Sequence, residues 1–225
     1  MAEFYLVRHG QASFGAKNYD NLSQLGHQQA RWLGEYFKAR DLTFTELYRG
    51  DMQRHAQTAE GIVSGLGQSL KTKVHTGFNE FDFEKVGRGY LAANPDKALP
   101  DKPKPADFYR LLKLAMYAWS QGEIEPTQLQ ETWAEFQSRV KQALSEVCAQ
   151  NQRKPTLIVS SGGAIAMLMS LVLGADAKQV IELNMQIRNT SISHFYFSQD
   201  AVRLASFNNI PHLDHPDRLD AITFS

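Results

Sequence analysis

Twice in this chain a short, unbroken apolar run halts at a polar, glycine-bearing turn and a helical pattern follows. Phe4 to Val7 ends in Arg8-His9-Gly10, and Thr156 to Ser160 ends in Ser161-Gly162-Gly163. Runs of this kind read as buried strands, and the turn at each C-terminal tip is where chemistry can gather. After the first tip, Leu25, Ala30, Leu33, Tyr36 and Phe37 recur at helical spacing from Ser23, a plausible N-cap, to about Arg40. A short strand near Glu46 to Tyr48 then passes through Arg49-Gly50-Asp51 into a helix from about Gln53 to Leu66. Strand, helix, strand, helix predicts a parallel sheet. The expected fold is a three-layer α/β/α sandwich with a mostly parallel sheet, its active-site loops at the C-terminal strand ends.

The middle of the chain reads differently. Gly87 to Pro105 is broken by Gly, Asn and Pro and predicts an irregular excursion, followed by helices near Ala106 to Gln121 and Thr127 to Gln150. The second carries Leu129, Trp133, Phe136, Val140, Leu144 and Val147 along one face. A long structureless loop inside a compact domain is disfavoured, so about residues 84 to 135 are expected to form a helical insertion capping the sheet as a substrate lid. The Thr156 strand leads into an apolar helix ending at Leu173-Gly174, and strands near Ser191 to Phe197 and Val202 to Phe207 form a hairpin.

At 225 residues the whole reads as one domain, residues 1 to 225. The 24 acidic and 24 basic residues cancel, so no global field draws the chain to nucleic acid or an anionic membrane, and anion binding must be local. The single cysteine, Cys148, cannot close an internal disulfide, and the start shows no charged leader. No run approaches the ~18 apolar residues of a membrane span. The expected compartment is the cytoplasm.

Arg-His-Gly alone is a common tripeptide, for which a surface arginine and a satisfied loop histidine suffice as an explanation. The surrounding motifs change its weight. After Leu6-Val7-Arg8-His9-Gly10 come Leu22-Ser23-Gln24-Leu25-Gly26-His27-Gln28-Gln29-Ala30, then Arg54-His55-Ala56-Gln57-Thr58-Ala59, Phe78-Asn79-Glu80, and Val159-Ser160-Ser161-Gly162-Gly163. In this order they resemble the histidine phosphatase superfamily, which includes the cofactor-dependent phosphoglycerate mutases, over nearly the whole chain. The resemblance implies phosphomonoester hydrolysis with His9 as the nucleophile and Glu80 as the catalytic acid. Arg8, Arg54, Ser161 and Gly162 would hold the phosphoryl group, with neither metal nor organic cofactor. The partner is then a small phosphorylated substrate.

The chemistry suits these residue types. An imidazole is largely unprotonated at neutral pH, and a phosphohistidine divides one difficult displacement into two easier ones. Its second ring nitrogen should donate to a backbone carbonyl, fixing the tautomer. Planar guanidinium groups neutralise equatorial phosphoryl oxygens better than lysine does. Glu80 can protonate the leaving alkoxide and later take a proton from water, although neighbouring Asp82 and Glu84 are carboxylates of the same type.

Two positions depart from the family pattern. Members usually carry a second histidine where this chain has Ser161, which can keep a hydrogen bond but supplies no positive charge. By analogy with an oxyanion donor, the loss is worth about 100- to 1,000-fold in rate. Three arrangements are compatible with it. Ser161 and the Gly162-Gly163 amides serve at a helix N-terminus; another histidine, His55 or His212, fills the gap; or the chain only binds phosphorylated ligands. The family also often places an asparagine where this chain has Gly15, and Asn18 is the substitute candidate. Segments typical of the true mutases are not recognisable, so phosphatase activity is expected ahead of phosphomutase activity.

Ser160-Ser161-Gly162 lacks the Gly-x-Ser-x-Gly elbow of a serine hydrolase, since Val159 stands two before Ser161. His212, Asp214, His215 and Asp217 are metal-ligand types in a Pro-containing tail, to which no metal is assigned. Trp119 and Trp133 are read as core.

Overall fold

The computed structural model of the chain describes residues 2–13, 20–150, 155–198 and 201–224. One sheet organises it. Strands β1 (Ala2–Arg8), β2 (Glu46–Arg49), β3 (Lys71–Val74), β4 (Thr156–Ser160), β5 (Ile192–Phe197) and β6 (Val202–Asn209) lie in the order β3-β2-β4-β1-β5-β6. The β3–β2, β2–β4 and β4–β1 pairs are parallel, whereas β1–β5 and β5–β6 are antiparallel. The sheet is thus mostly parallel, with the expected hairpin as its antiparallel margin.

Both faces are covered, as continuous apolar strands require. Val7, Leu47, Leu157 and Val159 point into one core with Ala30, Leu33 and Phe37 of α1 (Gln24–Ala39) and Ala59, Ile62 and Leu66 of α2 (Gln53–Leu66). Phe4, Leu6, Tyr48 and Ile158 point into the other. There they meet Phe136, Val140 and Val147 of α5 (Trp133–Ala149), Ile165 to Met169 of α6 (Gly162–Leu173) and Val180 and Ile181 of α7 (Ala177–Gln186). That is the three-layer sandwich. Ser23 accepts from the Gly26 amide at 3.0 Å and starts α1 as its sequence position predicts.

The sequence reading needs four corrections. The excursion after Gly87 is not irregular throughout, because α3 (Phe83–Ala93) runs through Gly87 and Gly89 before the breaks begin. A Cβ on Gly89 would collide with Ile124, so this glycine permits close packing and does not break the helix. The helix expected from Thr127 begins at Trp133, where Thr132 and Glu135 form a reciprocal capping box; Leu129 lies ahead of it. Strand β3 and helix α7 are additional elements.

Between Phe83 and Gln128 the chain forms α3, a 3-10 turn, α4 (Pro105–Ser120) and a second turn. Val86, Tyr90, Met116 and Trp119 from this segment share the core of α5 and α6. Trp119 packs edge-on to Trp133 and against Phe81 and Phe136, and its indole donates to Glu131 O at 3.0 Å. Trp119 is a core residue, and Trp133 is half-buried against that core. Among the described residues no helix is long and apolar enough to cross a membrane.

Candidate active site

Strand register creates the site. Arg8 pairs with Ser160 across β1 and β4, so the first residues past the paired tips, His9 and Ser161, emerge side by side. The His9 amide closes the seam on Ser160 O at 2.9 Å. On the other flank of β4, Arg49 pairs with Val159, which brings the start of α2, with Arg54 and His55, to the same rim. Two helix N-termini, those of α2 and α6, therefore open beside the two tips, where amide dipoles favour an anion.

His9 is buried, 3% exposed. Its Nδ1 lies 2.7 Å from Gly10 O, so Nδ1–H donates and the Nε2 lone pair is left for chemistry. The backbone behind it is fixed as well: Asn189 Nδ2 and the Thr190 amide donate to His9 O, and the Gly10 amide donates to Thr58 Oγ1 at 3.0 Å. A Cβ on Gly10 would press on Gly26 O, so the chain can pass α1 this closely only as glycine. Burial, then the charges of Arg54 and Arg8 and the neighbouring His55 ring, hold the imidazole well below its usual pKa. His9 is a neutral base at physiological pH.

The arginines are placed by different means. Arg8 Nη1 donates to Ile187 O and to Phe224 O, the latter at 2.7 Å, and the guanidinium lies against the Gly162 backbone. Arg54 is 3% exposed and pairs through Nη1 with Asp20 Oδ1 at 2.9 Å. Asp20 Oδ2 also accepts the Gln53 amide, so this one carboxylate caps α2 and orients Arg54. Asp20 has no motif of its own, and its role arises only when two distant segments meet.

Glu80 reaches the same rim. Its Oε2 accepts the Gly163 amide at 3.0 Å and its Oε1 the Phe81 amide at 3.2 Å. One of the two amides expected to face phosphate is therefore committed to this carboxylate. The loop carrying it is pinned from both sides. Ser160 Oγ donates to Phe78 O at 2.7 Å, while Arg139 of α5 donates to Gly77 O, Asn79 O and Glu80 O and is itself held by Glu131. Asp82 accepts from the Lys85 amide and starts α3, and Glu84 pairs with Arg88 in solvent. Neither shares the position of Glu80.

The remaining candidates separate. His55 is fully buried, with Nε2 2.7 Å from Ser161 Oγ and its ring centroid 5.7 Å from that of His9. His212 does not fill the gap at Ser161. It sits behind the motif, hydrogen-bonded to Thr190 Oγ1 at 2.8 Å, and burial with the Arg218 charge pushes its pKa down to about 3. His215 pairs with Asp217 at the surface. Asn184 of α7, unmarked in the sequence, places Oδ1 against Gly162. Asn18 and Gly15 lie outside the described residues.

The sequence profile described as "Histidine phosphatase superfamily (branch 1)" matches residues 4–210. The chain belongs to this superfamily. A Salmonella typhi protein named "Probable phosphoglycerate mutase GpmB" is 28% identical over 233 residues, covering 96% of this chain and 97% of the relative. Among solved structures, phosphoglycerate mutase from Bacillus anthracis str. Sterne superposes with a TM-score of 0.67 at 20% identity, covering 94% of each chain. Phosphoserine phosphatase from Entamoeba histolytica, solved with 3-phosphoglyceric acid, superposes at 0.67 and 22%, covering 95% of this chain and 100% of that one. These structural likenesses establish the shared fold, and the branch 1 membership rests on the profile.

Proposed function

We propose that this histidine phosphatase superfamily member is a phosphomonoesterase working through a phosphohistidine on His9. The observation that carries the reading is the neutral, tautomer-locked His9 between Arg8 and Arg54 at the junction of two helix N-termini. The His9 Nε2 lone pair attacks phosphorus, the P–O ester bond breaks, and Glu80 delivers a proton to the leaving oxygen. Water then attacks the phosphohistidine and gives its proton to Glu80, the P–N bond breaks, and inorganic phosphate leaves with His9 neutral again. Arg8, Arg54 and Ser161 hold the equatorial oxygens throughout. Phosphatases among the structural relatives support hydrolysis. The helical segment of about residues 84 to 135 serves as the lid over small phosphorylated substrates.

A second reading, phosphomutase, is favoured by the name of the Salmonella relative. It differs only in the acceptor, a second hydroxyl in place of water. Serine at 161 gives a hydrogen bond without the charge of an imidazolium, so turnover is expected to be slow.

The deciding experiment exposes the protein to para-nitrophenyl phosphate and looks for an acid-labile phosphate on His9. Labelling of the wild type and none of His9→Ala is expected. Equal product release by both with neither labelled rules the reading out, and phosphate binding that needs Arg8 and Arg54 without turnover would leave a binding module. Supplying phosphoglycerate as acceptor separates mutase from phosphatase by where the label goes.

A further inference from the structure

Ser161 is the N-cap residue of α6, yet its side chain does not cap the helix. It is fully buried and turned across the rim to His55 Nε2 at 2.7 Å. The register places Ser161 beside His9, and the His55 ring that its hydroxyl meets has its centroid 5.7 Å from that of the nucleophile. Which group donates decides what the pair can do.

Among the described residues His55 Nδ1, also buried, has no hydrogen-bond partner, and Gly50 packs directly against it with no room for a side chain. If Nδ1 carried the proton, a buried N–H would be left without an acceptor, at a cost of about 1–3 kcal/mol. Buried N–H groups without an acceptor are the rarer arrangement in folded proteins. The proton therefore belongs on Nε2, which donates to Ser161 Oγ, and the hydroxyl keeps its own proton for a third group. This direction argues against a serine activated for attack, which would have to give its proton to the imidazole. Burial, Arg54 and Arg49 keep the His55 ring well below its usual pKa, so the resting pair is uncharged.

We infer that His55 is a positioning residue acting through Ser161: Nε2–H holds Ser161 Oγ, and Ser161 donates its proton to an oxygen of the phosphoryl group transferred to and from His9. The inference rests on the phosphohistidine reading. It places the second imidazole of this site on α2 and not on the α6 turn. A histidine at 161 would compete with the His55 ring for the same space, so Ser161→His alone lowers turnover although it restores the residue that family members usually carry there.

The test is a double-mutant cycle in kcat with para-nitrophenyl phosphate, each variant checked for folding by circular dichroism. Ser161→Ala, His55→Leu and the double variant should each lose about 100-fold in kcat, the double no more than either single, because one hydrogen-bond chain is being cut in three ways. His55→Gln, whose amide can donate to Ser161, should recover most of the loss, and only while Ser161 is present. Pairing Ser161→His with His55→Ala should restore turnover that Ser161→His alone removes. Losses that add, a Ser161→Ala variant with wild-type kcat, or an acid-stable phosphate on Ser161 would each overturn the inference. If His55→Leu fails to fold, His55→Ala, which also removes the donor to Ser161, takes its place in the cycle with Ser161→Ala. A wild type that never labels His9 refutes the function itself, whereas normal labelling with a harmless Ser161→Ala refutes only the role of this pair.

Discussion

Acidification should destabilise this protein through three histidines. His9, His55 and His212 are each at most 3% exposed, and each is held neutral well below the ordinary imidazole value, His212 down to about 3. In the unfolded chain they regain values near 6.5, so below that pH the unfolded state binds protons that the folded state refuses. The stability they contribute is complete above the unfolded value and drains away as pH falls beneath it. Each such proton costs about 1.4 kcal/mol per pH unit, which for His212 comes to about 2 kcal/mol between about pH 7 and pH 5. His9 and His55 act in the same direction, against about 5–15 kcal/mol for a whole domain. Depressed carboxylates such as Glu135 and Glu146 enter only nearer their unfolded values of about 4. Urea denaturation followed by circular dichroism across this window measures the slope. His212→Gln should reduce it by about one proton without reversing it. A loss under about 2 kcal/mol between those limits would mean that the buried imidazoles take up protons in place, and the reasoning would fail.

Three further outcomes follow from the site's supports. Gly163→Ala should drop kcat by more than tenfold, because the new methyl group would occupy the place of Glu80 Oε1 and press on the Phe81 ring; an unchanged steady-state rate would show that this carboxylate is not the proton donor. Arg139→Met should lower both the melting temperature and kcat, since the loop from Gly77 to Glu80 loses three carbonyl anchors; parallel thermal melts and rate assays check it, and a fall in stability alone would confine Arg139 to folding. Cys148 should resist iodoacetamide in the native protein and react after unfolding, as burial pushes its thiol up to about 11; rapid native labelling counted by mass spectrometry would contradict that burial.

Much of the layout was legible because it rests on periodicity and punctuation. The β1, α1, β2, α2 series and the β4-to-α6 turn carry apolar runs ended by Gly or polar tips, and these coincide with the folded elements to within a few residues. Strand β3 was not legible: Lys71-Thr72-Lys73-Val74 lies at a sheet edge, where exposed polar side chains leave no apolar signal. Helix α7 and the true start of α5 announce themselves only through capping boxes, Asp176 with Gln179 and Thr132 with Glu135, which a reading led by hydrophobic spacing passes over. In the site, Arg8 and His9 stand out at the end of a recognisable strand and Arg54 at the start of a recognisable helix, whereas Glu80 is marked only by the resemblance of Phe78-Asn79-Glu80 to the family's acid motif. Asp20 and Asn184 do not stand out, for their roles exist only when segments far apart in the chain meet. His55 lay between these cases, visible beside Arg54 but without a partner until the folded chain supplied Ser161.

The His55–Ser161 hydrogen bond joins α2, which belongs to one layer of the sandwich, to the mouth of α6, which belongs to the other. The proposed phosphoryl pocket is consequently a seam between two separately packed cores, stitched over the rim of the sheet. Sliding one layer against the other by about an ångström would part the stitch, while the bond from Nδ1 to Gly10 O that fixes the His9 tautomer lies within one dipeptide and would survive. Turnover in such an enzyme is a gauge of how well its two halves are seated.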